Sequence, residues 1–274
     1  MSQMSSPPDL SRELEVANRL AVAAGQHILG YHGSPLTVDR KAGNEPVTRA
    51  DRESSDLILD GLRQAFPDDV LISEEEPDDS ARLVHRRVWF VDPLDGTKDF
   101  VRGEDGFSVM IGLVIDGRPC VGAVYQPIGD RLYSAAWGLG ARATGTAGET
   151  VLHVSSVAEL AEIRLVASKS HRVRVLDDIK SALGIANEMN VGSVGLKISL
   201  IARDLCDLYV SPATQTKAWD SCAPEAILHE AGGRLTDALG QPLRYDAPDL
   251  HHAAGLVASN GLVHDAVVAK LAPF

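Results

Sequence analysis

Apolar residues recur at helical spacing from Leu14 through Ala17, Leu20, Ala21, Ala24, Ile28 and Leu29, and the run stops at Gly30 and Gly33. The spacing predicts a first helix here, preceded by a frayed tail over residues 1–8, which hold prolines and small polar residues without a period. A second helical pattern carries Leu57, Ile58, Leu62 and Phe66. It follows Thr48 and Asp51, spaced as a capping box, and ends at Pro67. Val70 to Ser73 reads as a short strand that delivers an acidic loop, and Arg87 to Val91 as a strand running into Asp92-Pro93-Leu94-Asp95-Gly96-Thr97, where proline and glycine predict a turn. From Phe107 to about Trp137, β-rich runs alternate with Asp116-Gly117-Arg118-Pro119 and Pro127-Ile128-Gly129-Asp130, the pattern of an antiparallel meander.

Gly138 to Gly148, rich in Gly, Ala and Thr, is the expected boundary, dividing an N-terminal subdomain (1–147) from a C-terminal one (148–274). Beyond it strand and helix signals alternate: a strand at Arg164–Ser168, helices at Val173–Leu183 and Leu196–Ala202, a strand at Asp207–Val210, and a helix at Asp220–Ala231 closed by Gly232-Gly233. The expected class is therefore α+β, a mostly antiparallel N-terminal sheet with a smaller α/β C-terminal layer.

Composition narrows the function. The 274 residues are 45% hydrophobic and 23% charged with a mean hydropathy of -0.03, as in a folded chain of enzyme size. Asp plus Glu outnumber Lys plus Arg by 38 to 26, a net charge of -12, which argues against general binding to nucleic acid or anionic membranes and suits a protein that gathers cations. Cys120, Cys206 and Cys222 lack the spacing of a zinc site or a disulfide framework, and predict a reducing compartment. The longest uncharged apolar run, Phe107 to Ile115, falls far short of the roughly 18 residues of a membrane span. Asp9, Arg12, Glu13 and Glu15 stand where a signal peptide is apolar, so a water-soluble, cytoplasmic protein is expected.

In Asp92-Pro93-Leu94-Asp95-Gly96-Thr97, carboxylates three residues apart across a turn can converge on one cation, with a backbone carbonyl between them. Such hard oxygen ligands select Mg²⁺, Mn²⁺ or Ca²⁺ over zinc. Taken alone, the motif also reads as an ordinary acidic turn, Ser73-Glu74-Glu75-Glu76 as a solvated loop, Asp220 as a helix cap and Asp51 as the capping-box acid. Together they place carboxylates at the ends of strands and the starts of helices, where sites are assembled.

In order and spacing, Glu74-Glu75, then Asp92 to Thr97, then Trp219-Asp220 with a helix ending in Glu230-Ala231-Gly232-Gly233 resembles the inositol monophosphatase-like superfamily of Mg²⁺-dependent, lithium-sensitive phosphatases. The resemblance spans nearly the whole chain, from Leu14 to a last strand near Ser259, and implies that superfamily's layered α-β-α-β-α sandwich. Lys98 and Asp99 after the motif, Ser168-Lys169-Ser170-His171, Gly192-Ser193-Val194-Gly195-Leu196-Lys197 and Lys217 to Glu225 are similar to the 3'(2'),5'-bisphosphate nucleotidase branch. Ser193 and Gly195 stand at the start of a predicted helix whose first N–H groups can hold an anion, and Lys197 adds charge in its first turn. Lys169 and Arg172 around His171 make a locally basic stretch in an acidic chain.

The resemblance implies that Glu74, Asp92, the Leu94 carbonyl, Asp95 and Asp220 ligate Mg²⁺, on the order of two or three ions, with Glu75 at the edge. It further implies that Thr97 and Asp51 orient and deprotonate the attacking water, and that Gly96, Thr97, Ser168, His171, Ser193, Lys197 and Asp220 contact substrate. The implied reaction removes the 3'-phosphate of 3'-phosphoadenosine 5'-phosphate, leaving AMP and phosphate, by a monomer or homodimer acting on a small molecule. An inositol or sugar monophosphatase shares the metal site but not the nucleotide contacts, and a non-catalytic metal-dependent binding protein of the same fold is the third reading.

Overall fold

The computed structural model describes residues 6–34, 37–40, 46–78, 80–169, 175–212 and 216–271. Helix α1 (Ser11–Leu29) is followed by a small antiparallel pair, β1 (Val38–Arg40) and β2 (Pro46–Thr48), and by α2 (Arg49–Ala65). A seven-stranded sheet then forms in chain order from β3 (Val70–Ser73), β4 (Arg87–Asp95), β5 (Ser108–Ile115), β6 (Arg118–Gln126), β7 (Arg131–Ala136), β8 (Gly140–Gly145) and β9 (Gly148–Val151). β3 and β4 run parallel, and every later pairing is antiparallel. A short helix, α3 (Thr97–Val101), follows β4.

The meander runs further than its hydrophobic pattern. The Gly, Ala and Thr-rich stretch expected as a boundary is β8 and its hairpin to β9, with Ala141 and Ala143 buried between exposed neighbours. Small residues suffice there because the strand lies near the sheet edge. The chain changes sheets only between Val151 and Arg164, and we propose the subdomain division with its boundary beyond β9.

The second sheet has the order β11 (Asn187–Val191), β10 (Arg164–Ser168), β12 (Leu208–Ser211), β14 (Leu256–Ser259), β13 (Arg234–Thr236). β10 is parallel to both neighbours, while β14 runs antiparallel to β12 and β13. Helices α1 and α2 pack Leu20, Ala24, Ile58 and Leu62 against Trp89, Ile111 and Val121 on one face of the first sheet. Helices α5 (Val194–Ala202) and α6 (Ala218–Glu230) join the two sheets in a shared core, and α4 (Val175–Leu183) and α7 (His264–Leu271) cover the far side. The implied α-β-α-β-α order is the one observed.

This layering explains two features of the sequence. β5 is buried at every residue because helices lie on both faces, so Phe107 to Ile115 reads as an unbroken apolar run without alternation. α5 is buried almost all round, which blurs its period. α6 reaches its depth at two glycines paired across β5 and β6: a Cβ on Gly122 would stand 2.2 Å from the Ala223 carbonyl oxygen, and one on Gly112 2.7 Å from the Ala223 nitrogen. Among the described residues no helix is long and apolar enough to cross a membrane.

Candidate active site

Asp92 and Asp95 lie on one face of the sheet because of a bulge. In a regular strand, residues three apart point to opposite sides. Here Asp92 stands opposite Met110 and Asp95 opposite Ser108, so three steps along β4 match two along β5 and both aspartates return to the same face. The proline that predicted a turn instead occupies this bulge, where its missing N–H costs no ladder bond. Asp92 Oδ1 accepts from the Leu94 N–H at 3.0 Å, and Ser54 Oγ donates to the Pro93 carbonyl at 2.9 Å. The turn comes one residue later at Gly96, with φ +95°, where a Cβ would stand 2.6 Å from the Gly106 carbonyl oxygen.

Glu74 follows β3, the parallel neighbour of β4, and its N–H donates to the Val91 carbonyl, so both strands deliver acids at one end. Asp220 arrives from the first turn of α6, where its Oδ2 accepts from the Lys217 N–H at 2.6 Å. The helix-cap reading of Asp220 therefore holds, and the same carboxylate stands beside those of the Asp92 to Thr97 motif. Oxygens of Asp92, Asp95 and Asp220 all lie within 4.8 Å of one another. Burial, then repulsion from Glu74, Asp95 and Asp220, pushes the Asp92 carboxyl well above the usual range, and burial followed by Asp95 and Glu74 does the same to Asp220. Such a cluster of hard oxygen donors fits a divalent cation that would neutralise it.

At the start of α5 the anion is supplied by the chain itself. Asp95 Oδ2 accepts from Ser193 Oγ at 2.5 Å and from the Gly195 N–H at 3.0 Å. Ser193 Oγ caps the helix by accepting from the Leu196 N–H at 3.1 Å, and lies 2.8 Å from Ser108 Oγ. Ser193, expected to contact phosphate, is fully buried here and gives its hydrogen to Asp95. Ser108, which no sequence motif marks, gains its place by standing opposite Asp95 in the register. Ser193→Ala is expected to weaken divalent-metal activation by about 10–100-fold, the usual cost of losing a group that orients a metal ligand, and Ser108→Ala by less; a metal titration of activity measures both.

The two carboxylate oxygens of Asp51 likewise have separate partners. Its Oδ2 accepts from the Thr48 N–H at 2.7 Å and from the Thr48 hydroxyl at 2.6 Å, closing the predicted capping box. Its Oδ1 accepts from Thr97 Oγ1 at 3.1 Å, while the Leu94 carbonyl lies equally far from that hydroxyl. Burial raises the Asp51 pKa against the lowering effect of these bonds, which makes it a stronger base.

Gly96, Thr97, Ser168, Lys197 and Asp220 line one cleft with Glu74, Asp92, Leu94 and Asp95. Leu176, Tyr209, Val210, Lys217 and Trp219 also line it; the sequence signals marked Lys217 and Trp219 but not Leu176, Tyr209 or Val210, and Lys217 Nζ lies 5.0 Å from the Trp219 ring centroid. Lys197 is buried, 1% exposed, with Nζ donating to the Gly192 carbonyl at 2.5 Å. Burial lowers its pKa to about 8 despite the pull of Asp95 and Asp220. In the basic stretch, Lys169 pairs with Glu104 at 2.5 Å, and Ser170, His171 and Arg172 lie outside the described residues.

Comparison with known proteins decides the lineage of this site. The Inositol monophosphatase family profile matches residues 9–273. The chain belongs to the inositol monophosphatase family. Within that family it is 36% identical to the 3'(2'),5'-bisphosphate nucleotidase CysQ of Escherichia coli K12, over 85% of this chain and 93% of that protein. It is 30% identical to an inositol-1-monophosphatase of Synechocystis, over 97% of this chain and 91% of that protein. Among solved structures, an IMPase of Thermotoga maritima superposes with a TM-score of 0.82 at 27% identity, covering 95% of this chain and 97% of that one. The chain is a phosphatase of this metal-dependent family, and its acidic cluster is where a metal would be held.

Proposed function

We propose that this phosphatase removes the 3'-phosphate of 3'-phosphoadenosine 5'-phosphate, leaving AMP and phosphate, and acts on the same bond of 3'-phosphoadenosine 5'-phosphosulfate, in support of sulfur metabolism. The observation that carries the reading is the cleft, which is lined both by the carboxylate cluster and by Tyr209, Trp219 and Lys217. This lining suits a ligand with a stackable ring and a second anionic group beside the scissile phosphate. Its similarity to the CysQ nucleotidases supports the same substrate. Buried, unpaired cysteines at 120, 206 and 222 support a reducing, cytoplasmic location.

Glu74, Asp92, the Leu94 carbonyl, Asp95 and Asp220 would hold Mg²⁺, two or three ions by analogy with other multi-metal phosphatases, roughly. Bound metal supplies charge neutralisation for the phosphate oxygens and a lowered pKa for water. The chain's own residues do the rest. Thr97 donates its hydrogen to Asp51, leaving its oxygen lone pairs to receive a proton from the attacking water as Asp51 takes up the one Thr97 releases. The water, as it loses that proton, attacks phosphorus in line, and the 3'-oxygen leaves as the hydroxyl of AMP by taking a proton from solvent water, after which Asp51 returns its proton to solvent. Lys197, buried beside the carboxylates, holds positive charge behind the phosphate.

The test is phosphate release with Mg²⁺, side by side, from 3'-phosphoadenosine 5'-phosphate, inositol 1-phosphate and fructose 1,6-bisphosphate. The nucleotide is expected to lead inositol 1-phosphate by at least about tenfold in kcat/KM, since one charge-assisted hydrogen bond to a second phosphate is worth about 1.5–3 kcal/mol. Lithium is expected to inhibit. A preference for inositol 1-phosphate would hand the assignment to an inositol monophosphatase, the activity named for the Synechocystis relative. Full turnover in excess chelator would remove the metal from the mechanism.

A further inference from the structure

Of the proposed metal ligands, Glu74, Asp92 and Asp95 come from the ends of β3 and β4, whereas Asp220 arrives on α6. The body of α6 is seated on the first sheet where Ala223 meets Gly112 and Gly122. Its entry is held differently. The segment between β13 and β14 passes antiparallel beside it, with a bridge between Lys217 and His251. The Ala218 N–H donates to the Leu250 carbonyl at 2.9 Å, and the His252 N–H to the Thr216 carbonyl at 2.9 Å. Leu250 thus supplies the acceptor for one of the first N–H groups of the helix, which have no partner within it.

One side chain ties that segment to the loop after Glu74. Arg82, in a single 3-10 turn at Ala81–Leu83, is 2% exposed, and each of its three nitrogens donates a hydrogen bond. Nη1 reaches the Ala247 carbonyl at 2.6 Å, Nη2 the Pro248 carbonyl at 2.9 Å and Nε the Asp78 Oδ2 at 2.9 Å. Asp78 Oδ1 accepts from the Ser80 N–H at 2.9 Å, so the carboxylate that aims the guanidinium is itself held by the loop. Two consecutive carbonyls met by the two ends of a planar fork is a geometry that Arg supplies and Lys does not. Burying a charge is costly, and an apolar side chain of that size would fill the space as well. What the guanidinium adds is direction.

We propose that Arg82 is a positioning residue for the cleft: it ties the loop that carries Glu74 to the segment that holds the entry of α6, and so sets Asp220, Lys217 and Trp219 against the carboxylates of the first sheet. Both ends of the tie are anchored. Glu74 is fixed to β4 through its N–H on the Val91 carbonyl, and Leu250, which receives the Ala218 N–H, follows closely on Pro248. The bond from the Lys217 N–H to Asp220 lies within the entry itself and cannot set its distance from Glu74. Arg82 does not line the cleft, so it acts only through the backbone it holds.

The inference rests on the carboxylate cluster as a metal site, and its test separates the two. Mn²⁺ binding is followed by electron paramagnetic resonance, without turnover. Arg82→Lys keeps the charge but cannot span both carbonyls, and is expected to bind Mn²⁺ about tenfold more weakly than wild type, with kcat at saturating Mg²⁺ within about threefold. Amide exchange at Ala218 and His252 should quicken in the same variant. Arg164→Lys is the control: it breaks a comparable guanidinium network, to Asp204 and Asp207, at the opposite end of β10 from Ser168, and should lower the melting temperature without moving Mn²⁺ affinity. If Arg82→Lys does not fold, Asp78→Asn, which loosens the guanidinium but keeps it, carries the test with an expected loss of about threefold. Unchanged Mn²⁺ affinity in the Arg82 and Asp78 variants, or an equal loss in Arg164→Lys, overturns the positioning role. A wild type that binds no Mn²⁺ overturns the metal reading instead, and amide exchange at Ala218 and His252 then decides the tie.

Discussion

Asp92→Asn is expected to cut turnover by about a thousandfold or more while making the metal-free protein more stable. Both effects follow from the same burial. Asp92 is 1% exposed and sits among the carboxylates of Glu74, Asp95 and Asp220. An amide there loses a charge from the proposed metal cluster, and metal-borne charge stabilisation is worth several kcal/mol, at about 1.36 kcal/mol per tenfold in rate. Without metal, however, the same charge is repelled by its neighbours, so removing it relieves the fold. Steady-state kinetics across a Mg²⁺ series and melting curves in chelator measure the two halves. A variant with lower stability in chelator would mean that Asp92 serves chiefly to build the bulge through its bond to the Leu94 N–H.

The pH dependence has a definite sign. The folded-state pKa values of Asp92 and Asp220 are raised above those of the unfolded chain, so between the two values the native protein binds more protons. Stability in chelator is therefore fully present below the ordinary carboxylate pKa and declines as pH rises through the raised one. Melting temperatures in chelator should be higher in mild acid than at neutral pH, with a shallower slope in Asp92→Asn. Saturating Mg²⁺ should oppose the decline, since a cation held as proposed favours the deprotonated cluster.

What the sequence carried and what it hid divide along physical lines. The capping box at Thr48 and Asp51, the motif from Asp92 to Thr97 and the start of α6 at Asp220 are local, and local spacing located them. Nothing local shows that Pro93 sits in a bulge instead of a turn; that depends on Asp92 and Asp95 finding Met110 and Ser108 on another strand. Ser193 illustrates the same limit. A serine before a helix predicts a cap, and the cap is present, but nothing local shows that its hydroxyl also donates to Asp95, 98 residues earlier in the chain. β8 was obscured for a different reason: a strand of Gly, Ala and Thr near a sheet edge has the composition of a linker. The middle helices lost their period because both faces are buried.

Thr97→Ala and Asp51→Asn are expected to lower kcat by about 10²–10⁴ while leaving metal and substrate binding close to wild type, if the proposed relay from the attacking water through Thr97 to Asp51 operates. The structure complicates Asp51, since one carboxylate oxygen serves Thr97 and the other closes the cap on α2. Thr48 separates the roles. Thr48→Ala removes the capping hydroxyl, costing about 0.5–2 kcal/mol of stability, yet leaves the Asp51 to Thr97 bond in place, so kcat should barely move. Thr97→Ser, which keeps the hydroxyl, should retain most of the activity, whereas Thr97→Val keeps the shape and should not. If Thr48→Ala loses kcat in step with Asp51→Asn, the carboxylate acts by holding the start of α2, and the base must be sought elsewhere in the cleft. If only the Asp51 and Thr97 variants fall, with KM and Mg²⁺ activation unchanged, the proton passes from water through Thr97 to an acid that also anchors its own helix.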